Sequence, residues 1–336
     1  MAISVFVTGG AGYIGSHMVK MLQREGCEVT VFDNLSTGHR DAVDNSIMLV
    51  EGDLRNAGDI TRALQARKYD VVMHFAASCY VGESMQDPGK YWSNNVMGTL
   101  NLLEAMRGAH VYRLVFSSSC STYGNPASIP MTEQHPQLPV NIYGMTKYVA
   151  ERAMADYGNA YGMRTVALRY FNAAGSDPDG TLGERHDPET HLIPLVLGEA
   201  LRVQRGGDPA ATTLEVFGTD FDTPDGTCIR DYVHVSDLCE GHLLAMRTLL
   251  KPEGSGFTAF NLGMGRGHSV LEVINTCRRI TGVDIRYRKG GRRAGDPPRL
   301  VAGAERARSE LGWTPGYMDL AGMVDTAWRW YSRATR

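Results

Sequence analysis

Val5-Phe6-Val7-Thr8 runs into Gly9-Gly10-Ala11-Gly12-Tyr13-Ile14-Gly15. A β-branched and aromatic run ends in glycines, and apolar residues at helical spacing (Ile14, Met18, Met21, Leu22) come after it. The pattern predicts a strand, a tight phosphate-binding loop and a helix. Gly9 allows the sharp turn. Gly12 lets backbone approach a pyrophosphate at the helix N-terminus, where open N–H groups and the helix dipole favour anions. Gly15 lets helix and strand pack closely. Tyr13 and Ile14 lie on the same turn and count with the glycines as cofactor contacts. Asp33 closes the next apolar run, Glu28 to Asp33, where a carboxylate meets a ribose 2′-hydroxyl. An acid there disfavours a 2′-phosphate, so NAD is expected rather than NADP. The competing reading is a glycine-rich turn with a solvated Asp; the distance from the glycines to Asp33 favours the nucleotide.

The chain has 336 residues, enough for one large domain or two. A formal net charge of −3 and a charged fraction of 21% leave no basic surface for nucleic acid. No signal-peptide pattern and no long apolar run are present, so neither secretion nor a membrane span is expected. The six cysteines are scattered without metal-type pairs. A reduced cytoplasmic protein with no metal is the simplest expectation.

Along the chain, strands and helices alternate as far as Arg169. Strands are expected over 47–50, 69–75, 113–117 and 165–169, with helices over 60–65, 89–108 and 141–161. This rhythm predicts an α/β fold: a Rossmann-type, doubly wound parallel sheet with helices on both faces. Beyond Asn172 the rhythm breaks, and a smaller mixed α/β domain is expected over the carboxyl edge of the sheet. The expected division is 1–172 for NAD and 173–336 for the substrate, with 228–252 rejoining the first domain. Asn34 comes directly after Asp33 in a loop placed to cover the adenosine half. Asp53, next to Leu54, either bonds an adenine amino group or caps a helix. The small residues of Phe75-Ala76-Ala77 let backbone approach the cofactor. Asn94 is expected on the inner face of its helix, where it reaches the cofactor loops; a solvated Asn is the plain alternative. Ser117-Ser118-Ser119 ends a strand on the side where active sites form in open α/β sheets.

Tyr143 and Lys147 are four apart and project from one helix face. A phenol titrates too high to act as a base at neutral pH. A nearby ammonium and a cationic nicotinamide ring both favour phenolate, so a lowered Tyr143 pKa is expected. The pair then removes a proton from a carbinol during oxidation, with Ser119 relaying it. With fifteen tyrosines in the chain, a chance Tyr-x-x-x-Lys is unremarkable by itself. Its weight comes from the glycine loop, Asp33 and the upstream serines.

Thr8 to Gly15, His74-Phe75-Ala76, Tyr143-x-x-x-Lys147 and Arg169-Tyr170-Phe171-Asn172 resemble the extended short-chain dehydrogenase/reductases. More narrowly, the chain resembles the UDP-glucose 4-epimerase family. That resemblance rests on Val81-Gly82-Glu83-Ser84, Asn94-Asn95-Val96-x-Gly98-Thr99, Phe217-Gly218-Thr219-Asp220, Arg230 to Val235, Asn261-Leu262-Gly263 and Gly295-Asp296-Pro297. It implies bound NAD, a UDP-sugar substrate and inversion at C4 through a 4-keto sugar that turns over beneath its diphosphate. Tyr143 is then the base, and Ser117 and Tyr170 join the cofactor contacts. Asn172, Leu192, Phe217 and Asp296 line the nucleotide–sugar site, and Arg230 and Arg292 clamp phosphate oxygens. The resemblance also implies a homodimer sharing the helices around 89–108 and 141–161.

Three positions depart from the family. Cys79 stands where many members carry a cofactor-holding lysine. His191 replaces an Asn before Leu-x-Pro. Leu300 occupies the position that gates room for an N-acetyl group. Cys120-Ser121 stands after Ser119 where 4,6-dehydratases carry Asp-Glu, which argues against elimination of water and, similarly, against decarboxylation. The remaining alternatives are a 4-epimerase of UDP-pentoses, UDP-glucuronate or UDP-N-acetylhexosamines, and a dinucleotide-binding sensor without turnover.

Overall fold

The computed structural model describes residues 2–252, 254, 256–293 and 296–334. Gly295, part of one family motif, lies outside them. The strands are β1 (Ser4–Thr8), β2 (Glu28–Asp33), β3 (Met48–Glu51), β4 (Val71–His74), β5 (Arg113–Ser119), β6 (Arg164–Tyr170), β7 (Asn172–Ala174), β8 (Glu215–Phe217), β9 (Ile229–His234), β10 (Phe257–Leu262), β11 (Gly267–Ser269), β12 (Arg288–Gly290) and β13 (Arg299–Leu300). The helices are α1 (Tyr13–Arg24), α2 (Ala57–Gln65), α3 (Val81–Gln86), α4 (Pro88–Tyr91), α5 (Gly98–Gly108), α6 (Ile142–Tyr161), α7 (Leu192–Gln204), α8 (Val235–Leu250), α9 (Val270–Thr281) and α10 (Leu320–Ala334).

Seven strands form one parallel sheet in the order β10-β6-β5-β4-β1-β2-β3. Both faces are covered, so the strands are apolar on both sides. Val5 and Val7 pack with Met18 and Leu22 of α1 and Leu243 and Met246 of α8. Phe6, between them, packs on the opposite side with Leu64 of α2, Leu102 of α5 and Met154 of α6. This alternation, repeated along β2, β4, β5 and β6, divides one strand set between two cores. A third core joins α7, α9 and α10 beneath a small sheet in which β9 pairs with β7, β11 and β13.

Of the stretch 228–252, α8 packs on α1, β5 and β6 of the large sheet, whereas β9 stays in the small sheet. β10, beyond that stretch, also joins the large sheet by pairing with β6. The helix expected over 89–108 is continuous from Pro88 to Gly108, but it widens into a π-helical turn over Trp92–Met97 before α5. The wide turn carries Asn94 and Asn95. Asn95 is buried, accepts from Ser78 N (2.8 Å) and donates to Ser78 O and Thr146 Oγ1 (3.0 Å each).

One ion pair sits wholly inside. Arg169 on β6 meets Glu151 on α6 (Nη2–Oε2 2.6 Å), with side-chain exposures of 5% and 2%. Ser118 Oγ and Gln137 Nε2 also donate to Glu151, and Arg169 Nη1 donates to Tyr123 Oη. Removing one partner leaves a buried charge alone. Glu151→Ala is expected to lower unfolding free energy by about 3–5 kcal/mol in urea titrations; a loss below about 1 kcal/mol contradicts this.

Four histidines are held neutral by burial: His74 and His234 are pushed down to about 3, and His17 and His242 to about 4. His74 is bonded on both ring nitrogens, to Thr8 Oγ1 (2.7 Å) and Thr99 Oγ1 (3.0 Å). An unfolded histidine takes its proton near 6.5. Between pH 6.5 and about 4 the unfolded chain therefore binds protons that the folded chain refuses, and stability falls as pH falls. Asp231, raised to about 6 by burial, opposes this by one proton. The expected slope is about 2–4 kcal/mol per pH unit near pH 5. A flat urea midpoint between pH 6.5 and 5 is incompatible with this account.

Candidate active site

The glycine loop joins β1 to α1 across the carboxyl edge of the sheet. Gly9 has φ +72°, and a Cβ there would lie 2.4 Å from Ala76 N. A Cβ on Gly15 would lie 2.0 Å from Gly9 O, so the fold itself excludes a side chain. Gly12 differs: its nearest obstacle is Gly9 O at 3.4 Å, an ordinary contact. The protein does not require glycine at that position, whereas a ligand close to the backbone does. Gly12 is also the N-cap of α1 and provides no side-chain cap. The first-turn N–H groups are thus left for an anion. Asp33, at the end of β2, accepts from Ala11 N (2.9 Å) and Leu35 N (2.8 Å). Burial raises its pKa, and these backbone bonds oppose the rise. Loop and acid together fit the pyrophosphate and adenosine ribose of NAD.

A cleft of about 1960 Å³ opens from this loop. Gly9, Gly12, Tyr13, Ile14, Gly15 and Asp33 line one end, with Asn34 and Leu54 beside them. Phe75, Ala76 and Ala77, just past β4, form the floor. Asn94, Ser117 and Tyr170 also face the cleft, and Tyr170 Oη is bonded to Ser117 Oγ (2.6 Å). Across the cleft stand Asn172, Leu192, Phe217, Arg230, Asp296 and Leu300. Arg230 is braced by Ile229 O, Pro297 O and Asp296 Oδ1 (2.9, 2.9 and 3.2 Å).

Two expected site residues are not on the cleft wall. Asp53 accepts from Asn34 Nδ2 (3.0 Å) and Arg55 Nη2 (2.6 Å), between the cleft residues Asn34 and Leu54. Arg292 turns outward to Asp220 (Nε–Oδ1 2.8 Å) and lies over the Phe221 ring. Its neighbour Arg293 lines the cleft instead, with its guanidinium 4.0 Å from the Phe217 ring centroid. The Arg292-Arg293 pair was visible in the sequence, but consecutive residues of an extended segment face opposite ways. Which arginine turns inward depends on the register of that segment.

Tyr143 and Lys147 lie on the first turns of α6, which Asn141 caps by accepting from Gly144 N. Lys147 Nζ donates to Ser117 O (2.8 Å) and lies 5.9 Å from the Tyr143 ring centroid. Burial lowers its pKa to about 8. Ser119 Oγ, which accepts from Ser121 N (3.1 Å), lies close enough to the phenol to favour phenolate. Burial nevertheless dominates and raises Tyr143 well above its ordinary value. The expected lowering is therefore not achieved by the protein's own groups. Cys79 also faces the cleft, and burial pushes its thiol up to about 11, which makes it a neutral packing group. His191 faces the cleft beside Glu184, a partner the sequence reading missed.

The two glycines are expected to separate ligand from fold. Gly12→Ala should keep the wild-type melting temperature yet weaken NAD binding about tenfold or more, read by calorimetric titration. Gly15→Ala should destabilise the protein itself. Equal melting losses in both variants contradict the assignment.

The model of the NAD dependent epimerase/dehydratase family matches residues 5–263. A UDP-glucose 4-epimerase of Lactobacillus helveticus is 47% identical over 329 residues, covering 98% of this chain and 97% of that protein. One from Lacticaseibacillus casei is 46% identical with the same coverage. The crystal structure of UDP-glucose 4-epimerase from Brucella ovis in complex with NAD is 48% identical, with a TM-score of 0.90, covering 97% of this chain and 98% of that one. The Bifidobacterium longum enzyme in complex with NAD+ and UDP is 34% identical, with a TM-score of 0.91 over 99% of both chains. The chain belongs to the NAD-dependent epimerase/dehydratase family, in its UDP-glucose 4-epimerase branch.

Proposed function

We propose that the protein interconverts UDP-glucose and UDP-galactose by inverting C4 through a 4-keto intermediate. The observation that carries this is the grouping of Tyr143, Ser119 and Lys147 in the same cleft as an anion-ready glycine loop and a braced Arg230. NAD, when bound, supplies the transient redox step and a cationic ring that favours phenolate. The chain's own groups handle the proton. Tyr143 takes it from the sugar 4-hydroxyl and returns it after the sugar has turned; Ser119 bonds the same oxygens. Lys147 stays charged below about pH 8 and holds positive charge beneath the phenol. Across the cleft, Arg230 and Arg293 are suited to the diphosphate. Binding energy placed there leaves the hexose free to rotate.

The residue next to Ser119 disfavours elimination of water. Cys120 is buried and its thiol is pushed up to about 12, so no acid of useful strength stands there. We read residues 1–172, with α8 and β10, as the NAD unit and the remaining segments as the nucleotide-sugar unit. A homodimer through the α5–α6 side is supported by exposed apolar side chains there: Trp92, Met97, Leu100 and Tyr161. Six free cysteines support a cytoplasmic setting. Among the described residues, no helix is long and apolar enough to cross a membrane.

The test is conversion of UDP-galactose to UDP-glucose by purified protein, with and without added NAD, products resolved by chromatography. Tyr143→Phe should lower kcat by about 10²–10⁴-fold while NAD still binds. Arg293→Ala should raise KM at least about tenfold, and Arg292→Ala should leave it within about twofold. A 4-keto-6-deoxy product, or no conversion under either condition, refutes the proposal.

A further inference from the structure

We propose that Glu184, His186, Glu189 and His191 bind one divalent transition-metal ion of the Zn²⁺ type on the cleft wall. The four residues lie on the loop before α7, in the pattern Glu-x-His-x-x-Glu-x-His. Each offers one ligand atom, and these atoms lie within 4.8 Å of one another. Glu184 Oε1 is 3.2 Å from His186 Nδ1 and 2.6 Å from His191 Nδ1. Tetrahedral ligands at about 2.0–2.2 Å from an ion stand about 3.3–3.6 Å apart. The cluster brackets that spacing before any ion has drawn it together.

Two of the ligand atoms lack a well-formed hydrogen bond, although His186 Nδ1 lies within ion-pair distance of Glu184. His186 Nδ1 and Glu189 Oε2 are buried without a hydrogen-bond partner. They stand 3.8 Å apart, too far to bond each other. An orphaned ring nitrogen and carboxylate oxygen, both buried and close together, is the arrangement an ion would complete. Glu189 is also prepared for this role. Its Oε1 accepts from Thr190 N (2.7 Å) and His191 N (2.8 Å), which fixes the carboxylate with Oε2 facing the cluster.

The chemistry narrows the ion. Two imidazole nitrogens and two carboxylate oxygens, with no thiolate, suit Zn²⁺ and also accept Co²⁺. Two carboxylates balance a dication, so the loaded site is neutral in a partly buried wall. Four protein ligands close a tetrahedral site, which makes its role structural. It would staple the segment leading to Leu192 beside Tyr13 and Tyr80, whose rings lie 6.4 and 5.7 Å from the His186 ring. The expectation of no metal rested on the scattered cysteines and overlooked this His/Glu spacing.

The competing arrangement holds the same four side chains together by protons alone. Tag-free wild-type protein, stripped with a chelator, is titrated with Co²⁺ and then Zn²⁺. Expected are one ion per chain, an intense tetrahedral Co²⁺ visible band displaced by Zn²⁺, and a higher melting temperature with Zn²⁺. Glu189→Gln and His186→Gln should each weaken the site about a hundredfold or more with unchanged circular dichroism. His110→Asn, at an exposed histidine, should leave it intact. Absence of a stoichiometric ion, a faint octahedral Co²⁺ spectrum, or variants with wild-type affinity would overturn the proposal. The wild-type spectrum decides the matter even if a variant fails to fold.

Discussion

The site depends on where α6 lies against the sheet, and the buried Arg169–Glu151 pair determines that placement. Glu151 is one turn beyond Lys147, and Arg169 is the residue before Tyr170. A slip of α6 along β6 would leave both charges unpaired at once. Such a pair adds little net stability over a well-packed apolar substitute, but it makes every other alignment costly. Further bonds add to the same constraint. Lys147 Nζ reaches Ser117 O, and Asn95 Nδ2 reaches Thr146 Oγ1 from the π-helical turn. The Tyr143 phenol is therefore set by groups on three different parts of the chain.

Burial shapes the proton chemistry of the cleft. The thiols of Cys79 and Cys120 and the phenol of Tyr170 are all pushed up and stay neutral. Lys147 keeps its charge below about pH 8 but is pulled down toward neutrality. Ser119 beside Tyr143 and Cys120, and Ser117 beside Tyr170, each pull toward the ionised form, but burial outweighs them. Apart from Lys147, the cleft wall beside Tyr143 is thus made of neutral weak acids rather than of charged groups.

Local features of the site were legible in the sequence. The glycine loop and the Tyr143–Lys147 spacing each depend on residues within a few positions of one another, Asp33 is marked by the end of the next apolar run, and the parallel βα rhythm comes from hydrophobic runs. Features that depend on distant packing were not. The side to which Arg292 and Arg293 turn is set by the pairing of Arg292 with Asp220. The membership of β10 in the large sheet requires β6 as a partner, which no local pattern announces. The raised Tyr143 pKa stems from a depth of burial that helix spacing does not reveal. For Asp53 the sequence left open an adenine contact or a helix cap, and it did not show the bond to Arg55, two residues away.

The late position of β10 has a consequence for how the molecule is made. Six strands of the large sheet are complete once Tyr170 has been synthesised, yet the partner of β6 begins only at Phe257. At about 5–20 residues per second, β6 waits on the order of 5–20 s with its outer edge unpaired. An open parallel edge of that kind is a template for pairing with another nascent chain. The interval is occupied by the emergence of β7, α7, β8, β9 and α8, and the packing of α8 against β5 and β6 covers one flank before the edge closes. The segment that carries Asn172, Leu192, Phe217 and Arg230 to the far side of the cleft is thus also the one that shelters the sheet during synthesis.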